Sequence, residues 1–372
     1  MTLETQVREA AISLGFAAMG IASAEPFVRG DGALQHWLAA GFAGDMAYMS
    51  RNAAVRADPR ALLPEARSLV VVALALPDTP PLSLTQPIAV ARYALGADYH
   101  RLMRQRLEAL AGTVATCAGI TVRSRVCVDT APILEREAAA RAGLAFIGKS
   151  TLAIVPKLGS HFLLGVLLTD LELLVDSPRE PRCGRCVACL DACPTRALVA
   201  PFQLDSRRCI SYLTIEYRGI IPHALRSLVG HRVVGCDACQ NACPFNATRH
   251  RPTTVADLAP RSTFVSPDLS AWLQLSTGDY RRLVRGTALS RVGRQQLARN
   301  AAVALGNSGD FGAIEPLAHA LESHPSSLVR QHVAWALGRL DGRDALSAAA
   351  RHDPDPAVRK EALEALAGQP DS

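Results

Sequence analysis

The chain has 372 residues, a formal net charge of +6 and 49% hydrophobic residues, with aromatic residues at only 5%. This apolar content supports compact cores and excludes a mainly disordered chain, while the length suits two or three domains. The mild positive charge is compatible with a polyanionic partner but does not require one. The longest apolar runs are too short to span a bilayer and the N-terminus has no apolar signal core, so we expect a cytosolic protein.

The first half of the chain, residues 1–175, alternates helical patterns with short strand-like runs. The predicted strands are 68–76, 122–128 and 161–168, and the predicted helices include 100–116 and 131–142. Such alternation indicates an α/β or α+β domain.

Residues 176–250 contain eight of the ten cysteines, all between positions 183 and 243. In a chain without a secretion signal, such crowding indicates metal binding rather than disulfides. The first run, Cys183-x2-Cys186-x2-Cys189-x3-Cys193-Pro194, has the spacing of a bacterial ferredoxin. The second run, Cys236-x2-Cys239-x3-Cys243-Pro244, has Val233 in place of its first cysteine, and Cys209 is the spare thiol between the runs.

Eight thiolates match the ligands of two [4Fe–4S] clusters, and in this motif the cysteine before proline ligates the other cluster. One predicted set, here called the first cysteine set, is Cys183, Cys186, Cys189 and Cys243. The second cysteine set is Cys193, Cys209, Cys236 and Cys239. Two zinc sites are the alternative, since zinc also takes four thiolates. We interpret the remaining cysteines, Cys117 and Cys127, as buried thiols, and we expect the electron acceptor in the N-terminal domain.

One motif is rejected on its context. Gly143-x4-Gly148-Lys149-Ser150 matches the phosphate-binding P-loop, which needs a strand before it and a helix after it. Here a predicted helix precedes the motif and a strand-like segment, 151–156, follows it. Lys149 remains a candidate cation on a glycine turn, and an ordinary surface lysine is the alternative.

The composition of the chain changes in its C-terminal part. Residues 251–290 form an arginine-bearing connector, and alanine- and leucine-rich helices follow in 291–372. Ala304-Leu305-Gly306 recurs as Ala336-Leu337-Gly338, a pattern that resembles short HEAT-like repeats stacked into a small solenoid. A plain helical bundle cap is the alternative.

Taken together, several segments resemble the epoxyqueuosine reductase family over nearly the whole chain. They are GDMAYMSRNAAVRADPRALLPEARS (44–68), RYALGADYH (92–100), RVCVDTAPILEREAAARAGLAFIGKST (125–151), CGRCVACLDACPTRAL (183–198), RCISYLTIEYRG (208–219) and GCDACQNACPFN (235–246). Ala145-Phe146 departs from the Gly-Trp pair that is more usual in the family.

The resemblance implies reduction of the epoxide of epoxyqueuosine to queuosine at the wobble position of tRNAs with GUN anticodons. It implies a cobalamin and two [4Fe–4S] clusters as cofactors. The expected fold class is α+β, with an N-terminal α/β cobalamin-binding domain, a ferredoxin-like two-cluster domain and HEAT-like repeats that help to hold tRNA. The expected partners are tRNA and an external electron donor, with no membrane, and we expect a monomer.

The family's proton donor lies in the motif that is Asp129-Thr130-Ala131-Pro132 here. The reaction takes two electrons and two protons and releases water, so an acid is required near the opened epoxide. Asp129 follows a predicted strand, where side chains of α/β folds point into ligand crevices. A helix N-cap is the alternative role for this aspartate.

The resemblance implies further cofactor contacts at Arg56, Ser211 and Asp237, besides Asp129, and Lys149, the cation on the glycine turn, is also a candidate cofactor contact. A surface position for Arg56, and hydrogen bonding to loop amides for Ser211 and Asp237, are the alternatives. We interpret His100, His223 and His231 as structural or solvent-facing.

Arginines gather near the clusters and at the entry to the repeats. Because arginine pairs bidentately with phosphate, we expect these arginines to form a rim that contacts a tRNA stem with an extruded base. The predicted tRNA-binding residues are Arg218, Arg281, Arg282, Arg285, Arg291, Arg294 and Arg299. A solvated helical face is the alternative.

Two other functions compete with this interpretation. One is a corrinoid iron–sulfur reductase of a small molecule, such as a dehalogenase, which needs neither the repeats nor the arginines. The other is an electron-transfer module without catalysis, which leaves the first 175 residues without a purpose.

Overall fold

The computed structural model describes residues 1–77, 89–247 and 255–368, and these form two compact units, each built from separate stretches of chain. The first unit comprises 1–77, 96–207, 238–247 and 255–259. The second unit comprises 89–95, 208–237 and 260–368. The division into 1–175, 176–250, 251–290 and 291–372 therefore stays a prediction about order along the sequence.

The strands of the described residues are short except for two. They are β1 (Ala18–Ser23), β2 (Ser68–Ala75), β3 (Ser124–Cys127), β4 (Phe146–Ile147), β5 (Ala153–Ile154), β6 (Phe162–Thr169), β7 (Leu198–Ala200) and β8 (Gln203–Leu204).

The α-helices of the described residues fall in both units. They are α1 (Leu3–Ser13), α2 (Val28–Ala39), α3 (Ala47–Arg51), α4 (Ala53–Ala57), α5 (Tyr99–Ala118), α6 (Glu135–Arg141), α7 (Ala188–Asp191), α8 (Ile210–Ile215), α9 (His223–Val229), α10 (Ala238–Asn241), α11 (Pro244–Ala247), α12 (Ser262–Val265), α13 (Leu269–Leu273), α14 (Thr277–Val284), α15 (Arg294–Gly306), α16 (Ile314–Ser323), α17 (Ser327–Arg339), α18 (Arg343–His352) and α19 (Pro356–Leu366).

The first unit is organised around a four-stranded sheet in the order β1-β2-β6-β3. Every neighbouring pair of strands is antiparallel. In this register, one row of paired residues across the sheet consists of Gly20, Val71, Val166 and Cys127. The expected α/β character of the N-terminal domain is therefore wrong, because that class requires parallel strands joined by crossover helices. The α+β class as a whole agrees with the mixture of helices and strands.

Helices cover both faces of this sheet, and all eight residues of β2 are buried. On one face α5 brings Met103 and Leu107 so close to Gly165 that a Cβ there would lie 2.7 Å from each side chain. On the other face Ala138, Ala139 and Ala142 pack into the core. Because both faces are covered, an apolar side chain is favoured at every position of β2, and each buried Leu or Val contributes about 1.5–3 kcal/mol to stability. This explains why the sequence of an antiparallel strand is here an unbroken apolar run.

The C-terminal helices of the second unit stack as repeats. Helices α15, α17 and α19 pack successively, while α16 contacts α17 and α18. A Cβ on Gly306 would lie 2.7 Å from the Cα of Ala336, and a Cβ on Gly338 would lie 2.7 Å from the Cβ of Ala365. The recurring Ala-Leu-Gly triplet thus marks where one repeat helix approaches the next, and the prediction of HEAT-like repeats is confirmed.

Within the described ranges, the helices lack a stretch long and apolar enough to cross a lipid bilayer.

Candidate functional site

Asp129 lies on the loop that joins β3 to α6. Its backbone has φ +39°, a left-handed conformation that is costly for a residue other than glycine. Its N–H donates to Oε1 of Glu135 at 2.7 Å. The helix begins only at Glu135, with Leu134 at the N-cap. Asp129 is therefore not the N-cap of α6, and the alternative role considered for it is wrong.

His100 stands between Asp129 and a second aspartate. Its Nε2 lies 3.0 Å from Oδ2 of Asp129, and its Nδ1 lies 2.7 Å from Oδ1 of Asp98. Asp98 is also the N-cap of α5, where its side chain accepts the N–H of His100 at 3.0 Å. The cap thus fixes the imidazole at the start of the helix and beside Asp129, which is compatible with the structural role predicted for His100.

Charge around His100 favours its protonated form. Burial by itself lowers the pKa of His100, but hydrogen bonds and attraction from Asp129 and Asp98 outweigh burial and raise it above 6.5. As an imidazolium, His100 donates to both carboxylates. This arrangement favours holding a proton on the imidazole beside Asp129.

Glu135 supports the other side of the Asp129 loop. Its removal from water, followed by repulsion from Asp129, raises the pKa of Glu135 to about 8. A carboxyl group that is neutral at pH 7 still offers an oxygen to the N–H of Asp129. Glu135 therefore closes the loop without placing a second full negative charge beside Asp129 at neutral pH.

Arg56 lies close enough to this group to oppose the rise of the Glu135 pKa. Its guanidinium lies 5.9 Å from the ring centre of Tyr48, and its buried Nε has no hydrogen-bond partner among the described residues. A buried donor without a partner is uncommon in proteins and suits an oxygen-rich ligand. A corrinoid carries phosphate and amide oxygens, so the residues around Asp129 fit the predicted group.

The first cysteine set converges within the first unit. Burial is the largest cause that raises the pKa of Cys189, and repulsion from the Cys183 and Cys243 thiolates adds to it. Burial, then repulsion that includes the Cys183 and Cys186 thiolates, raises the pKa of Cys243. Helices α7 and α10, which carry cysteines of the two runs, are in contact.

All four thiols of the first set are free, which fits a cluster that takes thiolates on different irons. A cubane holds its ligands farther apart than a single ion does. In the described part of the chain, no three His, Cys, Asp or Glu side chains converge tightly enough to hold one metal ion.

The members of the second cysteine set fall in different units of the structure. Cys193 and Cys239 belong to the first unit, and Cys209 and Cys236 to the second. The Sγ of Cys193 accepts the N–H of Ala197 at 3.2 Å, the kind of backbone contact that stabilises the negative charge of a thiolate. The assignment of this set stays a prediction from spacing. Among the two remaining cysteines, Cys127 is buried as expected, but Cys117 is exposed, so the prediction for Cys117 is wrong.

Lys149 occupies a turn of the first unit. Strands β4 and β5 pair as a short hairpin around it, so the helix that a P-loop requires does not follow the glycine turn and the rejection of that motif is upheld. The Lys149 ammonium donates to the carbonyl oxygens of Gly184 at 2.7 Å and Cys186 at 3.0 Å. It therefore contacts the loop of the first cysteine run.

The end of the second run contacts a neighbouring turn in the same unit. Nδ2 of Asn246 donates to Oγ of Ser160 at 2.9 Å, and its Oδ1 accepts the N–H of Ser160 at 2.8 Å. Phe245 packs edge-on against Phe146 with ring centres 5.2 Å apart. Phe146, which departs from the usual family tryptophan, thus retains an aromatic contact with the cysteine run.

Two predicted cofactor residues lie in the second unit. Oδ2 of Asp237 accepts the N–H of Arg92 at 2.8 Å, which agrees with the alternative of a loop-amide partner. Ser211 lies in α8, where its carbonyl oxygen lies 3.4 Å from Oγ1 of Thr214. Their roles toward a cofactor stay predictions.

Among the predicted tRNA-binding arginines, most have exposed side chains and Arg294 is half-buried. The exposed residues are Arg218, Arg281, Arg282, Arg285 and Arg291. Several of them have polar partners within the second unit, and Nη1 of Arg218 donates to Oε1 of Gln296. Arg282 pairs with Asp279, and Nη1 of Arg294 donates to the carbonyl oxygen of Leu275 at 2.9 Å.

Arg299 differs from the rest because its side chain is 0% exposed. Its guanidinium donates to the carbonyl oxygens of Leu213, Tyr217 and Gly219 and to Oδ1 of Asn300. Burial lowers the pKa of Arg299 to about 10, so the guanidinium is still charged at neutral pH. The dipoles of the carbonyl groups that accept its hydrogen bonds stabilise this charge. The prediction of Arg299 as a phosphate contact is wrong, because its donors are already used inside the fold.

The sequence carried a signal for the residues that were missed. Asp98 and His100 lie in RYALGADYH, one of the segments that carry the family resemblance, and Glu135 follows the Asp129 motif by six residues. Their roles depend on contacts across 29 residues of chain for His100 and Asp129, which spacing alone does not reveal.

Comparison with known proteins gives matches along most of the chain. Residues 56–130 match the family described as "Epoxyqueuosine reductase QueG, DUF1730", 182–246 match a 4Fe-4S double cluster binding domain, and 285–367 match HEAT repeats. The chain is 42% identical to an epoxyqueuosine reductase of Pseudomonas aeruginosa over 91% of this chain and 94% of the relative. It is 40% identical to that of Escherichia coli over 91% and 89%, respectively.

Solved structures agree with these relatives. A crystal structure of an epoxyqueuosine reductase with an epoxyqueuosine-modified tRNA-Tyr stem loop is 30% identical, with a TM-score of 0.88 and 98% of each chain covered. A Bacillus subtilis structure with its catalytic aspartate loop swung out of the active site is 29% identical, with a TM-score of 0.88 and 99% of each chain covered.

Proposed function

The chain belongs to the epoxyqueuosine reductase family, and we propose that it reduces epoxyqueuosine with a cobalamin, two [4Fe–4S] clusters and Asp129 as the proton donor. Membership of this family makes it an oxidoreductase that acts on epoxyqueuosine in tRNA. The double-cluster domain supports two [4Fe–4S] clusters. The cobalamin, the wobble position of tRNAs with GUN anticodons and the residue roles form the proposal.

One observation carries the assignment of Asp129: its carboxylate is hydrogen-bonded to an imidazole that is held by a second carboxylate. Reduction of an epoxide to an alkene adds two electrons and two protons and releases water. When bound, a reduced corrinoid supplies a cobalt nucleophile that can open the strained ring. The protein then has to supply protons to oxygen, first as the ring opens and again as hydroxide leaves.

The Asp98, His100 and Asp129 side chains can supply a proton in sequence. Protonated His100 passes a proton from Nε2 to Oδ2 of Asp129, and Asp129 passes it to the substrate oxygen. Asp98 keeps the imidazole oriented and favours its protonated form. This relay removes the need for Asp129, which is 37% exposed, to acquire a high pKa through burial.

Arg56 and Glu135 prepare the site around this relay. The unpartnered Nε of Arg56 would bind an oxygen of the corrinoid, and Glu135 would hold the Asp129 loop in place through its N–H. The family resemblance adds Ser211 and Asp237 as further corrinoid contacts. Lys149 is left out of this set because its ammonium binds the loop of the first cysteine run.

The clusters would pass single electrons toward the corrinoid. The first cysteine set would hold one cluster and the second set the other, in line with the ferredoxin spacing. An external donor must supply the electrons. We also propose a monomeric, cytoplasmic enzyme.

Exposed arginines of the second unit would bind the tRNA backbone. Arg218, Arg281, Arg282, Arg285 and Arg291 are exposed residues, with Arg218 also bonded to Gln296 and Arg282 to Asp279, and Arg294 is half-buried. Arginine binds phosphate through its planar fork. Arg299 is left out of this surface because its donors bind the backbone inside the fold.

The alternative of a small-molecule reductase is not retained. The relatives that cover about nine-tenths of the chain are epoxyqueuosine reductases, and the HEAT repeats are present.

Anaerobic reconstitution tests the proposal. The protein with iron, sulfide, cobalamin and a chemical reductant is incubated with an epoxyqueuosine-containing anticodon stem loop, and the nucleosides are analysed by mass spectrometry. Queuosine formed only when cobalamin is present supports the proposal. Queuosine formed equally without any corrinoid overturns the corrinoid part of it.

A further inference from the structure

The Gly148-Lys149-Ser150 turn makes contacts that the proposed reaction does not use. The Lys149 ammonium donates to two carbonyl oxygens of the cysteine loop, Gly184 and Cys186. The Lys149 carbonyl oxygen accepts the N–H of Phe202 at 2.9 Å. One residue therefore joins the hairpin to the first cysteine run and to the segment between β7 and β8.

The turn that carries Lys149 is tightly built. The N–H of Gly148 donates to the carbonyl oxygen of Leu152 at 2.8 Å, and the N–H of Thr151 donates to that of Gly148 at 2.9 Å. A Cβ on Gly148 would lie 2.6 Å from Cδ1 of Ile154, so a larger residue there would have to displace this buried side chain. The backbone of Lys149 is thus held firmly, which reduces the entropy lost when its side chain binds the loop.

The identity of the residue matters as well as its position. Only three of the 40 basic residues in the chain are lysines. An ammonium is a compact charge with three donors. Lys149 uses two of them to bind the carbonyl oxygens of Gly184 and Cys186. These carbonyls belong to the backbone that presents Cys183 and Cys186 to a cluster.

A cation fixed beside a cluster affects its redox equilibrium. Reduction adds one negative charge to the cluster, and a nearby positive charge stabilises the reduced state. Net charge and hydrogen bonding are among the factors that set the potentials of iron–sulfur clusters. Lys149 supplies the charge, and its hydrogen bonds fix the carbonyl oxygens of the loop that carries the ligands.

We propose that Lys149 is a positioning residue that holds the loop of the first cysteine set and raises the reduction potential of the cluster bound there. The inference rests on the proposed function only for the presence of the two clusters and for the ligands of the first. It assigns the glycine-lysine turn a role in electron supply rather than in binding a phosphate.

A redox titration of the reconstituted full chain, followed by electron paramagnetic resonance without corrinoid or tRNA, tests this. In K149Q we expect one of the two midpoint potentials to fall by about 59 mV, which is a tenfold loss in the one-electron equilibrium constant. K149R keeps the charge and should restore most of the shift. K157Q, which removes an exposed lysine of a nearby turn, should leave both potentials unchanged.

Unchanged potentials in K149Q, or an equal shift of both, would overturn the inference. If K149Q fails to retain one cluster, K149R decides: retention there supports the role of the cation, and loss there overturns it. Because the titration needs no turnover, its result is separate from the proposed function. Unchanged potentials with full queuosine formation would remove the role of Lys149 alone, whereas a potential shift without queuosine formation would remove the function alone.

Discussion

Nε2 of His100 lies 3.0 Å from Oδ2 of Asp129, although 29 residues separate them in the chain. The contact exists because α5 starts at the same end of the sheet at which β3 ends. In the proposed mechanism, this contact makes Asp129 the end of a proton relay.

Asp129→Asn should abolish most turnover and leave corrinoid binding intact. General acids contribute about 10²–10⁴-fold to a rate, so we expect queuosine formation to fall by at least about a hundredfold. The rate is measured by mass spectrometry of tRNA nucleosides, and corrinoid binding by visible titration as the control. Turnover within a few-fold of the wild type would remove Asp129 from the role of proton donor.

The pH dependence of turnover should report on His100. Its pKa is raised above 6.5 in the folded protein, so the protonated form, and the stability it provides, are present below 6.5 and are lost as the pH rises through the raised value. Asp98→Asn removes one of the two carboxylates that favour the imidazolium. We expect the alkaline limb of the rate profile to move to lower pH in this variant. An unmoved limb would contradict the relay.

Glu135→Gln and Glu135→Ala should behave differently at neutral pH. Glutamine keeps an oxygen for the N–H of Asp129, and the pKa of about 8 makes the native carboxyl largely neutral at pH 7. We therefore expect E135Q to turn over within about twofold of the wild type. E135A loses a hydrogen bond worth about 0.5–1.5 kcal/mol, and turnover should fall about two- to tenfold. Equal loss in both variants would argue against this role for the acceptor oxygen.

Paired cysteine variants test the assignment of the two sets. C186S and C243S remove ligands of the same predicted cluster, so the double variant should retain about half of the iron, as each single variant does. C186S combined with C193S removes one ligand from each set and should lose most of the iron. Iron and sulfide analysis after anaerobic reconstitution measures this. Similar iron in the two double variants would show that the assignment is wrong.

Arg285 and Arg299 should differ in what they affect. Arg285 is exposed, and R285Q should weaken binding of a tRNA stem loop and lower the magnitude of the salt slope by about 0.7–0.9 if one phosphate contact is lost. R299M leaves several buried carbonyl oxygens without a donor and should destabilise the fold by at least about 1–3 kcal/mol, the cost of one unsatisfied buried acceptor. Fluorescence anisotropy against salt and thermal unfolding measure the two effects. An unchanged slope in R285Q would remove that residue from the tRNA surface.

The amino-acid sequence by itself determined the chemistry that depends on short spacing. The cysteine runs, the Ala-Leu-Gly repeat and the segments of the family resemblance are each local, because loops that wrap a cluster and glycines that admit a neighbouring helix act over a few residues. The long apolar run of β2 also identified a buried strand, since its side chains are covered on both faces.

Only the tertiary structure decided which distant groups meet. Strand direction cannot be read from an apolar run, so the antiparallel sheet corrected the expected α/β domain. The partners of Asp129 are His100 from another helix and Glu135 at the start of the next one, and Arg299 is buried because backbone carbonyls of a separate segment accept its donors. Contacts of this kind depend on how the chain folds back on itself, and the spacing of residues along the sequence does not encode them.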